Sequence, residues 1–375
     1  MIEPDLDFKQ QILGLGTHDL SSCYQCGTCS VICPISTAED PFPRKEMIWA
    51  QWGLKDRLMA DSTIWTCHQC GVCNTYCPRD AKPADVMAAI RDYSITHYAW
   101  PKFMGQAVDQ PSLLPLLFGF PAVVLLAILA ALGNLSSLPE GTIVFSKFLP
   151  IIYIEIFYSV AVGIAVIAAI KGGLNYWNAL RSEAVSAGKN VSSGVVSTVL
   201  TILKHTKFRQ CETERTGTRR SYKEHLGRTH MVLFYGFIGL VITTTAVGIG
   251  IYAFGYLTPW PLWHPIKILG NVSGVAVIAA CVVFGYRRRT DKEKAGKTTY
   301  SDWLFLSVLG STAMSGYFCE WLRLADVAIL AYWAYFVHLL LVFFLLAYLP
   351  YSKFAHLSYR FVAMLFASGR TASDT

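Results

Sequence analysis

Charge is scarce in this sequence. Only 15% of its 375 residues are Asp, Glu, Lys or Arg, against about 25% in an ordinary globular domain. With 53% hydrophobic residues and a mean hydropathy of +0.40, that shortage excludes a wholly soluble fold and points to a membrane protein. Met1 to Gln10 holds no apolar run, so no secretory signal peptide is expected. No motif for reading DNA or RNA accompanies the net charge of +7, so nucleic acid is not an expected partner. Scattered cysteine is also rare. Of 11 cysteines only Cys211, Cys281 and Cys319 stand apart, which fits a reducing compartment rather than a disulfide framework.

The other cysteines fall in two runs of the same pattern, C-x2-C-x2-C-x3-C-P. The first is Cys23, Cys26, Cys29 and Cys33 before Pro34, the second Cys67, Cys70, Cys73 and Cys77 before Pro78. Three thiolates at this spacing wrap three irons of one cubane, and the fourth is turned to the neighbouring cluster. Two [4Fe–4S] clusters with crossed ligation are therefore expected. One uses Cys23, Cys26, Cys29 and Cys77, the other Cys67, Cys70, Cys73 and Cys33. Paired C-x2-C motifs also read as zinc ribbons. Zinc leaves unexplained a fourth cysteine before proline twice over. Gly27 and Gly71 sit where the backbone must turn tightly around sulfide. The spacer Arg44 to Asp61 and the stretch Ala84 to Tyr98 carry apolar residues at helical spacing, so the soluble part, residues 1–99, reads as a helical ferredoxin domain. His68, between two cysteines, reads as a surface neighbour of a cluster rather than a ligand.

After a linker at 100–111, six apolar stretches of about 20 residues, the length a bilayer demands, are expected to span at 112–133, 150–170, 231–256, 265–285, 302–320 and 327–349. The fold class is therefore all-α: a helical dicluster ferredoxin domain followed by a six-helix membrane bundle over 112–360, with a tail at 361–375. Lys and Arg crowd the loop from Lys171 to Arg228 and the loop from Arg287 to Lys297, while the opposite loops offer little beyond Lys147 and Arg323. By the positive-inside rule both termini face the cytoplasm.

Fe–S clusters joined to a membrane bundle call for a carrier within the bundle. His338 and His356 are 18 residues apart. On one continuous helix this is about five whole turns, placing both rings on one face about 27 Å apart. One haem b near each membrane surface is the expectation, against the bland alternatives of a core His338 and an interfacial His356. For the second axial ligand of each haem, His230 pairs with His356 on the cytoplasmic side, with His225 in reserve, and His264 pairs with His338 on the far side. His264 reads equally as part of an aromatic belt with Trp260 and Trp263. His18, His97 and His205 lie outside the spans and are not expected to be ligands. Two stacked haems beside clusters suggest quinol chemistry, which moves protons with electrons, and Glu155 inside the second span is the candidate proton carrier. Glu320 and Arg323 read as an i,i+3 ion pair, and Lys267 as a snorkelling side chain.

The N-terminal part resembles the C subunit of heterodisulfide reductase in its two cysteine runs around a helical spacer. The C-terminal part resembles cytochrome b membrane subunits of heterodisulfide reductase and nitrate reductase (gamma subunit), in His230 to Phe237 and in His338 to His356 with Pro350, Ser352 and Lys353 between. The fusion of both resembles the C subunits of the quinone-interacting membrane-bound oxidoreductase complexes of sulfate-reducing bacteria. That resemblance implies electron exchange between menaquinol and two soluble flavin- and Fe–S-containing subunits, which in turn serve adenylylsulfate reductase. One departure is Leu240, where nitrate reductase gamma subunits place a second ligand ten residues after the first; His264 enters for that reason. A heterodisulfide-linked partner with a methanophenazine-like carrier, and a haem-free anchor for the ferredoxin domain, stand as alternatives.

Overall fold

The computed structural model describes residues 3–186, 195–203, 220–256, 258–291 and 296–373, without the side chains of His18, 186, 197, 220–226 and 368–373. His205, Cys211 and the loop charges Lys189, Lys204, Lys207, Arg209, Arg215 and Arg219 lie outside the described residues. Among the described residues the chain is 76% helical with no strand, so the all-α expectation holds.

The soluble half is built from short helices: α1 (Leu6–Gly14), α2 (Thr28–Val31), α3 (Arg44–Gln51), α4 (Lys55–Met59), α5 (Thr63–Thr66), α6 (Val72–Thr75) and the longer α7 (Pro83–Tyr98). The helical spacer is interrupted between α3 and α4 because Gly53 adopts φ +67°, a left-handed residue that ends one helix and lets the chain reverse. Pro83 opens α7, where its missing N–H costs nothing. The expected linker is largely helical, as α8 (Lys102–Asp109).

Beyond it run α9 (Leu114–Ala131), α10 (Ile151–Ser186), α11 (Arg220–Phe254), α12 (Pro265–Thr290), α13 (Tyr300–Leu324) and α14 (Ala328–Ala347). Five of these, all but α13, include stretches long and apolar enough to cross a membrane, which makes the chain multi-pass. The sixth expected span is present as a helix, but Asp302, Glu320, Arg323 and several hydroxyl and glycine residues leave α13 without a stretch apolar enough to join those five. It packs between α12 and α14. Small residues set the closest crossings. A Cβ on Gly239 of α11 would fall 2.1 Å from Ser273 Oγ on α12, so only glycine admits this approach.

The two halves share one core. Phe8, Ile12, Met47, Leu58, Trp65, Met87 and Ile90 of the soluble half pack with Tyr176, Leu180 and Ala184 of α10. The same cluster takes in Tyr359, Ala363 and Phe366 of a last helix, α15 (His356–Ser373). The 36 residues of α10 extend about 54 Å at 1.5 Å each. That exceeds the ~30 Å hydrocarbon thickness, and its far end is what enters the ferredoxin core. Residues 361–373, expected as part of a tail, continue α15, and Ala363, Met364 and Phe366 are buried.

Candidate metal centres

The glycines expected to turn the backbone around sulfide do so. Gly27 (φ +81°) and Gly71 (φ +68°) are the left-handed N-caps of α2 and α6. Each short helix carries the third cysteine of its run, Cys29 or Cys73, and the fourth follows just beyond it. The helices α2 and α6 lie against each other. One cavity is lined by Cys67, Cys70 and Cys73 of the second run together with Cys33 and Cys29 of the first. Cys23 lies within electrostatic reach of Cys26 and of Cys77 from the second run. Among the described residues no three His, Cys, Asp or Glu side chains converge at the spacing of a single metal ion. The thiols of both runs line one cavity, as crossed ligation of clusters requires.

Amide donors point at the sulfurs, as suits thiolates that share iron's charge. Gln69 N donates to Cys67 Sγ at 3.4 Å, Ala81 N to Cys77 Sγ at 3.3 Å and Gln25 Nε2 to Cys23 Sγ at 3.5 Å. Burial pushes the Cys29 thiol up to about 11 and raises Cys73 further, while the Thr28 hydroxyl lowers Cys26. Buried thiols of this kind become thiolates when a cation binds them.

Sequence reasoning missed the residues that hold these loops. The Cys23 carbonyl accepts from Gln51 Nε2 at 2.8 Å. The Cys67 carbonyl accepts from Arg360 at 3.2 Å and Arg91 at 3.4 Å. Arg360 also donates to His68 Nδ1 at 3.1 Å; a guanidinium has only donors, so the His68 proton sits on Nε2. Trp65 of α5 stacks on Tyr359 at 5.3 Å. Lys353 pairs with Asp92 of α7 and, at 3.3 Å, with Asp302 of α13, which Arg288 also reaches at 3.2 Å. Lys297 donates to Gly16 O at 2.8 Å, and Lys171 lies 3.8 Å over the Trp100 ring. Several loop charges that set the expected orientation thus bear on the ferredoxin domain or on the segment just after it. Arg360 lies one helical turn beyond His356, a spacing visible in the sequence.

The histidines need a correction. His338 and His356 do not ride one helix. α14 ends at Ala347, two 3-10 turns follow at Leu349–Tyr351 and Lys353–Ala355, and His356 opens α15. Pro350 is the physical reason, because it has no N–H to extend the ladder. The two rings therefore share no single helix register, but each is set in a usable way. Ser315 Oγ donates to Thr312 O at 2.9 Å and lies 2.9 Å from His338 Nδ1, so it accepts the Nδ1 proton. His356 Nδ1 donates to the Lys353 carbonyl. Both rings then carry a lone pair on Nε2, the tautomer a metal ligand needs.

His230 lies on α11 seven residues before Phe237, hence on one face. Phe237 meets Phe354 at 5.1 Å, which draws the His230 face toward the segment that carries His356. The His225 side chain lies outside the described residues. His264 is the N-cap of α12, its Nδ1 accepting from Ile266 N at 3.3 Å, with Trp260 at 4.4 Å. In this geometry His264 caps a helix through Nδ1, and its ring proton sits on Nε2.

Glu155 accepts a hydrogen bond from Tyr252 of α11. Glu320 pairs at 2.9 Å with Lys267 of the neighbouring helix, which replaces both the expected pair with Arg323 and the snorkelling of Lys267.

Residues 19–81 match the 4Fe-4S dicluster domain family and residues 109–374 match Citrate utilization protein B. Over 89 residues the chain is 38% identical to the C subunit of the H(2):CoB-CoM heterodisulfide,ferredoxin reductase of Methanothermobacter marburgensis, covering 24% of this chain and 48% of that protein. Over 86 residues it is 40% identical to a protein of Archaeoglobus profundus described as like the C subunit of heterodisulfide reductase, covering 23% and 46%. The chain spans about half the length of these curated relatives. No solved structure matches.

Proposed function

The chain belongs to the Citrate utilization protein B family, with a 4Fe-4S dicluster domain ahead of the matched region, and on that premise we propose that it is the membrane electron-transfer subunit of an oxidoreductase complex. It links menaquinol and menaquinone to two cytoplasmic flavin- and Fe–S-containing subunits, and through them to adenylylsulfate reductase. The cysteines hold two [4Fe–4S] clusters in the crossed sets, Cys23, Cys26, Cys29 with Cys77 and Cys67, Cys70, Cys73 with Cys33. His356 and His230 hold a cytoplasmic-side haem b, and His338 holds a distal one. When bound, these groups supply one-electron carriage between a two-electron quinol and the partner subunits. The protein's own part is to fix ring tautomers through Ser315 and the Lys353 carbonyl, and to present Glu155, paired with Tyr252, as a proton acceptor on the far side. Both termini face the cytoplasm.

The observation that carries this reading is the seam between the halves. Arg360, one turn from His356, donates to the carbonyl of Cys67 and to His68, so α15 both carries the proposed haem ligand and reaches a cysteine run. A passive anchor has no need of this contact. A heterodisulfide-linked partner keeps the same residues, and the similarity to the C subunits of heterodisulfide reductases favours it as the second reading.

The test is a pyridine haemochrome spectrum of the purified chain. Two b-type haems that change spectrum with a menaquinol analogue are expected, and His356→Ala removes the cytoplasmic-side haem alone. Absence of b-type haem leaves the anchor standing. Loss of neither haem in His356→Ala refutes the ligand assignment.

A further inference from the structure

Because the two cysteine runs repeat one motif, equivalent atoms can be compared directly. The carbonyl of the first cysteine is bonded in both, but by different chemistry. Cys23 O receives a neutral amide from Gln51. Cys67 O receives two guanidinium groups, Arg360 and Arg91, and Arg91 also reaches Gln69 Oε1 in the same loop. Both arginines are half-buried. The cations near the first run are Arg44, against Gly27, and Arg79, near Tyr24, and both are exposed. Water and salt screen exposed charges far more than half-buried ones.

We infer that the chain itself splits the reduction potentials of its two clusters: the one on Cys67, Cys70, Cys73 and Cys33 is the higher, the one on Cys23, Cys26, Cys29 and Cys77 the lower. This rests on reading both runs as [4Fe–4S] ligands. Reduction adds one electron, and so one negative charge, to a cluster, and nearby fixed positive charge favours the reduced form. Hydrogen bonds to sulfur favour the other set, because Gln25 Nε2 on Cys23 Sγ, Ala81 N on Cys77 Sγ and the Thr28 hydroxyl beside Cys26 stand against Gln69 N on Cys67 Sγ, but these are neutral dipoles, whereas the two guanidiniums carry full charges.

Burial opposes the arginines. Cys26 is exposed, whereas Cys73 lines the cavity, and desolvation resists added charge. The same low dielectric strengthens attraction to the two guanidiniums, and two half-buried cations outweigh the difference in exposure. Arg360 belongs to α15, so the higher potential lies on the side of the membrane helices and the lower at the exposed rim that a soluble partner reaches.

An EPR-monitored redox titration of the intact, detergent-solubilised chain, with iron content measured alongside, tests this. Two separable midpoints are expected in the wild type. Arg360→Gln moves one signal to lower potential and leaves the other in place, and Arg360→Lys restores most of the shift. Gln51→Arg raises the other signal and narrows the gap. One shared midpoint in the wild type, or an Arg360→Gln variant that moves neither signal or both equally, overturns the inference. Should Arg360→Gln lose iron, Gln51→Arg decides, and failure of its signal to rise overturns it. Zinc in place of iron in the wild type would instead overturn the ligand assignment beneath.

Discussion

His97 lies near the end of α7, stacked on Tyr93 at 5.9 Å and edge-on to Tyr98 at 4.7 Å. Burial among these rings, and then the charges of Lys55 and Lys102, hold its pKa down to about 4, with Asp56 opposing. The unfolded chain takes up the proton near 6.5, so between pH 6.5 and 4 the unfolded state binds more protons than the folded one. Stability from this residue is complete above pH 6.5 and is lost as pH falls toward 4. His97→Phe should flatten the pH dependence of the ferredoxin domain's unfolding midpoint across that window, read against the wild type at each pH. An unchanged slope would show that His97 is already charged in the fold. Residues of this kind are where the sequence is least legible. Cysteine spacing is local chemistry and can be read directly, down to the glycines at Gly27 and Gly71. Arg91, Arg360 and Gln51 cannot, because their partners lie 24, 293 and 28 residues away.

Single elements show where period counting succeeds and where it fails. The stretches expected at 265–285 and 327–349 correspond to α12 and α14 within a few residues, because an unbroken apolar run has one solution in lipid. His338 and His356 share a face only if that period is extended across Pro350, where the ladder stops. Tertiary packing likewise decides the partner of Glu320, which is only 8% accessible and faces Lys267 across the α12–α13 contact, with Asn271 at 3.5 Å. A buried pair adds little net stability, but removing one partner strands the other charge at a cost of about 3–5 kcal/mol. Lys267→Met should therefore lower the unfolding temperature of the detergent-solubilised chain markedly, while Lys267→Met combined with Glu320→Gln recovers most of the loss. Equal destabilisation in the single and double variants would mean that the pair is not what Lys267 contributes.

At the scale of the whole molecule, the ferredoxin half is not a bead on a string. Its core is completed by Tyr176 and Leu180 of α10 and by Tyr359, Ala363 and Phe366 of α15. Tyr176 also donates to Asp61 O at 2.9 Å, and Lys353 ties α7 to the segment before α15. The apolar spacing of Tyr359, Ala363 and Phe366 is visible in the sequence. It carries no meaning there, because a short stretch after the last span has no partner until the fold supplies one. Residues 1–99 made alone would leave Trp65, Tyr98 and Ile90 without these neighbours. Tyr359→Ala in the full chain removes one large side chain from the shared core, and truncation of this kind costs about 3–5 kcal/mol. That loss should fall on the ferredoxin half, as faster hydrogen exchange in α5 and α7 with α12 to α14 unchanged. The isolated fragment 1–99 should bind less iron than the same residues within the full chain and be cut faster by protease. A protease-resistant fragment with its full iron complement would show that the ferredoxin domain folds without the membrane half, and that the shared core is a docking contact between finished units.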